Sequence, residues 1–97
     1  MSAYLCGNIT IHDITLYEQY REQVPALIAK YGGRYLVRGG AAEVVEGDLN
    51  AQRQVILEFP DMAALKAFYF SAEYKPMIAI RQHAATGSIV LIEGCLP

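Results

Sequence analysis

Arg34 and Arg38 stand in the run Tyr31-Gly32-Gly33-Arg34-Tyr35-Leu36-Val37-Arg38-Gly39-Gly40, and on a β-strand their even spacing sends both guanidinium groups to one face. A guanidinium fixed on a sheet can grip a carboxylate through two parallel N–H bonds, so this stretch is the first candidate for binding an anion. Glu58 is the one acid inside the later run Arg53 to Phe59, and a charge on a strand of that kind needs a partner. Together with Asn8 on the first strand, Arg38 and Glu58 are expected to form a polar cluster on one side of the sheet. There the arginine either pairs with the glutamate and fixes register or turns toward a ligand. Arg81 shares a helix face with Tyr74 and Ile78 and is expected to approach the same space from the other layer, the alternative being a solvated helix arginine.

The chain has seven tyrosines and no tryptophan. Tyr69 and Tyr74 fall on the segments expected to roof the sheet, where a phenol supplies both an apolar ring and a hydroxyl to a pocket wall. His83 is a candidate general base or haem ligand, with a tyrosine as the alternative acid or base, set against the plainer reading of a partly exposed residue whose cation suits a helix C-terminus. His12 reads as a surface-loop residue with nothing near it to orient the ring. No phosphate-binding glycine loop, dinucleotide fingerprint, HExxH or CxxC is present, so nucleotide, zinc and disulfide chemistry are not expected, and no cofactor is called for.

These side chains must be carried by a small set of elements. Residues 3–11 alternate, with Ala3, Leu5, Ile9 and Ile11 on one face and Tyr4, Cys6, Asn8 and Thr10 on the other, which predicts a strand. Asp13 is placed to cap a helix over about 14–31, with a kink expected at Pro25. The glycine pair at 32–33 stops that helix, and the pair at 39–40 bends or bulges the strand between them. Residues 41–46 are expected to extend the sheet as an edge, with turn chemistry at 47–50 and a strand at 53–59. Pro60 and Asp61 then open a helix whose stripe is Met62, Leu65, Phe68 and Tyr69; Ser71 re-caps a second short helix running to about Ala84. The apolar run at 88–93 predicts a last strand buried on both faces.

Ninety-seven residues make one domain, 1–97, with a single core. The hydrophobic content of 54% is high, yet no apolar run approaches the roughly 18 residues of a membrane span. A formal charge of −2 with no basic cluster disfavours nucleic acid. No secretory signal is evident, so the cytoplasm is the expected location, and Cys6 and Cys95 are expected to be buried, reduced thiols. The order strand, helix, strand, strand, helix pair, strand suggests a ferredoxin-like α+β plan with helices on one sheet face. With no chain left to cover the other face, a second copy packed sheet to sheet is the expected partner.

The run YGGRYLVRGG, with EVVEG at 43–47, VILEFP at 55–60 and SAEY at 71–74, resembles a family of small bacterial proteins known only as a domain of unknown function. The resemblance covers nearly the whole chain and implies a dimeric α+β barrel, in which two ferredoxin-like protomers pair their sheets. Relatives at that level include cofactor-independent oxygenases, lactone isomerases, haem-degrading enzymes and ligand-sensing domains, with sites between sheet and helices. The family pattern commonly has Trp-Tyr where this chain has Phe68-Tyr69. The resulting expectation is a homodimer with a small-molecule pocket, suited to an organic carboxylate and lined by Asn8, Arg38, Glu58, Tyr69, Tyr74 and Arg81. A cofactor-independent isomerase, lyase or oxygenase, or a purely structural assembly unit, are the alternatives.

Overall fold

The computed structural model describes residues 1–96. Its elements run β1 (Ala3–Ile11), α1 (Ile14–Lys30), β2 (Arg34–Gly40), β3 (Arg53–Phe59), α2 (Met62–Tyr69), α3 (Lys75–Ala84) and β4 (Ala85–Glu93). The strands form one antiparallel sheet in the order β2-β3-β1-β4, the ferredoxin-like arrangement, with all three helices on one face. No helix among the described residues is long and apolar enough to cross a membrane.

Local chemistry sets the helix ends. Asp13 Oδ1 accepts the N–H of Leu16 at 3.0 Å, and Asp61 Oδ1 accepts that of Ala64 at 2.8 Å, each satisfying a donor in a first turn. At the other end of α1, Gly32 takes φ +84°, Gly32 N–H donates to Ala29 O and Gly33 N–H to Ile28 O. That bond pair is the Schellman motif, and it needs a residue without Cβ at position 32. Ser71 Oγ accepts from Tyr74 N–H at 3.1 Å, which turns the chain from α2 into α3. Helix α1 continues through Pro25 to Lys30.

Alternation places Ala3 and Leu5 of β1 and Leu57 and Phe59 of β3 under the helices, where they meet Val24, Ile28, Leu65 and Phe68, while Ile9 packs with Tyr17, Ala84 and Ala85. Phe59 and Phe68 stack with centroids 5.2 Å apart, and Phe68 meets Tyr74 at 4.3 Å, so aromatic rings fill one end of the layer.

Three expectations change. Residues 41–50 form no edge strand: every one is exposed and they make a long loop between β2 and β3, tied down where Asn8 Oδ1 accepts Gln52 N–H at 3.0 Å. Gly47 and the acids Glu43, Glu46 and Asp48 interrupt Val44, Val45 and Leu49, so this stretch has no continuous apolar face to hold it against the sheet. β4 begins at Ala85 rather than Ser88, because Gly87 pairs with Ile9 and lets the backbone of β1 come too close for any side chain. Cys6 is only half-buried and Cys95 is exposed. Within the single chain Val90 and Ile92, on the side of β4 away from the helices, are 49% and 47% exposed, the face for which a second copy is expected.

Gly33 makes a close approach, since a Cβ there would lie 2.5 Å from Cζ of Phe59. Gly33→Ala should therefore lose about 1–3 kcal/mol, the range for overpacking a core. Gly47→Ala meets no atom within 4 Å and should lose only the backbone cost of a side chain at φ +88°, about 1–2 kcal/mol. Urea unfolding of the two variants measures both; a neutral Gly33→Ala would mean that Phe59 has room to move.

Candidate functional site

β2 does not keep a simple register with β3. Arg34 pairs with Glu58 and Tyr35 with Leu57, but Val37 then pairs with Ile56, so Leu36 is an extra residue in a β-bulge. One inserted residue reverses the side-chain alternation. Arg34 stays on the open face, while Arg38 turns to the helix side, and the expectation that both point one way is corrected.

The partners follow from this reversal. Glu58 is held by Arg34, with Nε donating at 2.8 Å, and by the Tyr4 hydroxyl at 3.2 Å, all on the open face. The Arg34 bond, with Tyr4 and the nearby cation adding, holds the Glu58 carboxyl below the usual carboxylate range. Arg38 instead stacks over Tyr35, its Cζ 4.6 Å from the ring centroid, and donates to Arg21 O at 3.2 Å. Asn8 shares the open face with Glu58 and clasps the loop, accepting from Gln54 Nε2 at 2.6 Å as well as from Gln52. Asn8, Arg38 and Glu58 are thus not one cluster.

On the helix side an inner cavity lies between the sheet, α1 and α3. Its floor is Gly7, which sits at an inward position of β1 flanked by Val55 and Ile89; a Cβ there would reach within 3.1 Å of Ile89 Cδ1. A glycine where the pattern calls for a large apolar side chain leaves a hole in the core. Four arginines line the space, Arg21, Arg38, Arg53 and Arg81, and four tyrosines, Tyr17, Tyr20, Tyr35 and Tyr74, with no acid among the lining residues. Among the described residues Arg21 is the one of these arginines with an ion pair, to Glu18.

Arg81 is the most confined of the four, 8% exposed on the inner face of α3. Its Nη2 reaches the Tyr69 hydroxyl at 3.5 Å, a long contact, and its Nε has no partner. Arg53 enters from β3 with its guanidinium 5.7 Å above the Tyr17 ring, and its Nε is also buried without a partner. Gly39, at φ +74°, leaves the room that the Arg53 guanidinium occupies. Each orphaned donor of this kind costs about 1–3 kcal/mol or more until something accepts its bond.

Tyr20 and Tyr74 hydroxyls lie 2.7 Å apart beside Arg81. Burial, reinforced by Tyr74, raises the Tyr20 phenol well above its ordinary value. Burial also raises Tyr74, opposed by the Tyr20 bond and by Arg81. Both are neutral at physiological pH; one proton closes the bond between them and the other remains to be donated. His83 is elsewhere: it is exposed, its Nδ1 bonded to Ala79 O at 2.7 Å, and it does not line the cavity. Tyr69 lines a separate open groove of about 440 Å³ that shares Arg81, Ile9 and Ile89 with the inner cavity. Phe68 packs in the core and forms no part of the cavity wall.

The inner cavity itself is small, about 30 Å³ for the centre of a water molecule, which holds roughly two waters. Arg38 is exposed, and the stack and single carbonyl bond that keep it at the rim are weak restraints. Swinging it outward enlarges the space. The described residues contain no group of three or more His, Cys, Asp or Glu that could hold a metal. Sequence reasoning missed Gly7, Tyr20 and Arg53. The glycine was visible as the gap in the Ala3-Leu5-Ile9-Ile11 series; Arg53 had no signal beyond opening a strand.

The four-stranded antiparallel sheet with its helices on one face is the fold seen in dimeric α+β barrel proteins. Over residues 2–95 the chain matches the model of the domain of unknown function DUF1330, and it belongs to that family. A protein of unknown function from Rhodopseudomonas palustris shares the fold at a TM-score of 0.77 and 16% identity, over 99% of this chain and 84% of that one. The methylated form of that protein matches equally well, at 0.77 and 15% identity over 99% and 82%. SnoaB, a cofactor-independent oxygenase from Streptomyces nogalater, matches at 0.64 and 11% identity over 99% and 95%. No curated protein matches the chain.

The geometry makes Arg34, and not Arg38, the partner of Glu58. In a double-mutant cycle Arg34→Ala and Glu58→Ala should be non-additive, whereas Arg38→Ala and Glu58→Ala should add. Because the folded carboxyl titrates low, its contribution is present above the ordinary carboxylate pKa and is lost as pH falls through the folded value. Glu58→Gln should flatten that acid limb of the stability curve; an unchanged limb would remove the ion pair from the account.

Proposed function

We propose that this protein binds a small organic anion, a carboxylate on a compact apolar body, in the cavity between sheet and helices. The observation that carries the reading is Arg81, a buried guanidinium with no acid beside it in a cavity that has arginines and no carboxylates among its lining residues. A buried cation without a counter-ion is costly, and a ligand carboxylate supplies that counter-ion together with the missing hydrogen-bond acceptors. Leu5, Val24 and Leu57 offer the apolar surface for the rest of the molecule. Arg38 at the rim exchanges the Arg21 carbonyl for the ligand as it enters.

The Tyr20–Tyr74 hydroxyl pair favours a second reading, a cofactor-independent enzyme acting on an acid whose carbonyl becomes an oxyanion. A neutral phenol beside a guanidinium stabilises such a charge as it develops. The fold shared with the oxygenase SnoaB is compatible with this chemistry but does not select it. In either case the protein is proposed to work as a homodimer, since Val37, Ile56, Val90 and Ile92 leave an apolar strip on the sheet face that no helix covers.

Sedimentation at micromolar concentration should give twice the chain mass, and Val90→Lys, which places a charge in the strip, should shift the protein toward monomer. A wild-type monomer would remove the dimer. A thermal-shift screen of monocarboxylates tests the binding reading. A hit should be weakened about tenfold or more by Arg38→Lys, because an ammonium cannot reproduce two parallel guanidinium bonds. Arg38→Lys should leave the unliganded melting temperature within a degree or so, since Arg38 is exposed. If no acid stabilises the protein, the binding reading is wrong; if turnover of an acid is found and Tyr74→Phe abolishes it while binding persists, the enzymatic reading takes precedence.

A further inference from the structure

We infer that the ligand of this cavity is a dianion, a short dicarboxylate, rather than a monocarboxylate. The inference rests on the anion-binding reading above and goes further by fixing the number of charges. Among the described residues two buried side-chain nitrogen or oxygen atoms lack a hydrogen-bond partner, and they are Nε of Arg53 and Nε of Arg81. Both residues line the same cavity. Neither is in an ion pair, so the two guanidinium groups each carry an uncompensated charge as well as an unused donor.

They start from different layers of the fold, Arg53 from the sheet and Arg81 from a helix. Arg53 rises from β3 with Arg38 of β2 as its neighbour on the helix side of the sheet, and its stem is fixed by pairing opposite Ile9. Arg81 comes from α3, which leads directly into β4 at the far edge, and it shares an outer groove with Ala85, Thr86 and Gly87. In the order β2-β3-β1-β4, β3 and the strand that follows α3 flank β1, and adjacent strands are about 4.8 Å apart. One carboxylate on a compact body reaches one wall. Two carboxylates separated by a few carbons reach both, with the bare backbone of Gly7 beneath the spacer.

Phosphate-like ligands fit less well, because a tetrahedral dianion concentrates its charge at one end and leaves the other orphaned donor unsatisfied. The tyrosines add to the same division. Tyr20 and Tyr74 offer their spare proton on the Arg81 side, whereas Tyr17 and Tyr35 present ring faces to Arg53 and Arg38. One carboxylate is thus held by a guanidinium and a phenol, the other by two guanidinium groups stacked on aromatic rings.

The test compares diacids with their own monomethyl esters, which keep the shape and remove one charge. Calorimetric titration of the full chain uses the dicarboxylates with two, three and four methylene groups between the carboxyls, each beside its half-ester. At least one diacid is expected to bind ten times or more tighter than its half-ester, and Arg53→Met, which keeps the stem and loses the charge, should bring the two within twofold. Arg81→Met should do the same; should that variant fail to fold, Arg53→Met still decides the matter. Half-esters that bind as tightly as the diacids would overturn the dianion and leave the single-anion reading in place. Discrimination that survives in Arg53→Met would also overturn it. If neither diacids nor half-esters nor simple monocarboxylates bind, both readings fall together.

Discussion

β1 is hydrogen-bonded along both edges, to β3 on one side and β4 on the other, and its alternation is imposed on the whole helix-facing surface. Ala3, Leu5, Gly7 and Ile9 point inward because that ladder leaves them no other direction. Three of the four fill space and the glycine does not. The cavity is therefore a product of register: had the strand slipped by one residue, Cys6 and Asn8 would lie under the helices and Gly7 would be a harmless gap on the open face. Everything described about the arginines presupposes this one placement.

The arginine-rich space is kept from collapsing by what surrounds its charges. A guanidinium taken out of water loses its hydration, and aromatic faces and phenol oxygens replace only part of that loss. Arg53 above Tyr17 and Arg38 above Tyr35 receive ring faces, while Arg81 receives hydroxyl oxygens. The cations, with the phenols of Tyr20 and Tyr74 raised chiefly by burial, make a polar interior that has no carboxylate among its lining residues.

Most of the fold was legible because its signals are local. Asp13 and Asp61 announce their helices, Gly32 ends one, and the alternation in residues 3–11 and 53–59 marks strands that the structure places at the same bounds. The site was legible only in part. Arg38, Tyr74 and Arg81 line the cavity as the residue types suggested, yet Glu58 and Asn8 lie on the other face and His83 lies outside. The cause is the bulge at Leu36, which depends on how β2 aligns with β3 and has no trace in β2 alone. Arg53 escaped for a related reason: a charged residue at the start of a strand looks like a boundary until the pairing with Ile9 shows it pointing inward.

The junction of α3 and β4 has no loop: Ala84 ends the helix, Ala85 opens the strand, and Ala84 O accepts both His12 N–H at 2.9 Å and Asp13 N–H at 3.1 Å. Two corners of the chain are riveted at one carbonyl. A joint without slack transmits torque, so any rotation of α3 that re-aims Arg81 must twist the start of β4 and tug on the entry to α1. Movement at the Arg81 end of the cavity would thus reach the outer strand of the sheet, whereas the β2–β3 loop is fastened to β1 through Asn8 instead.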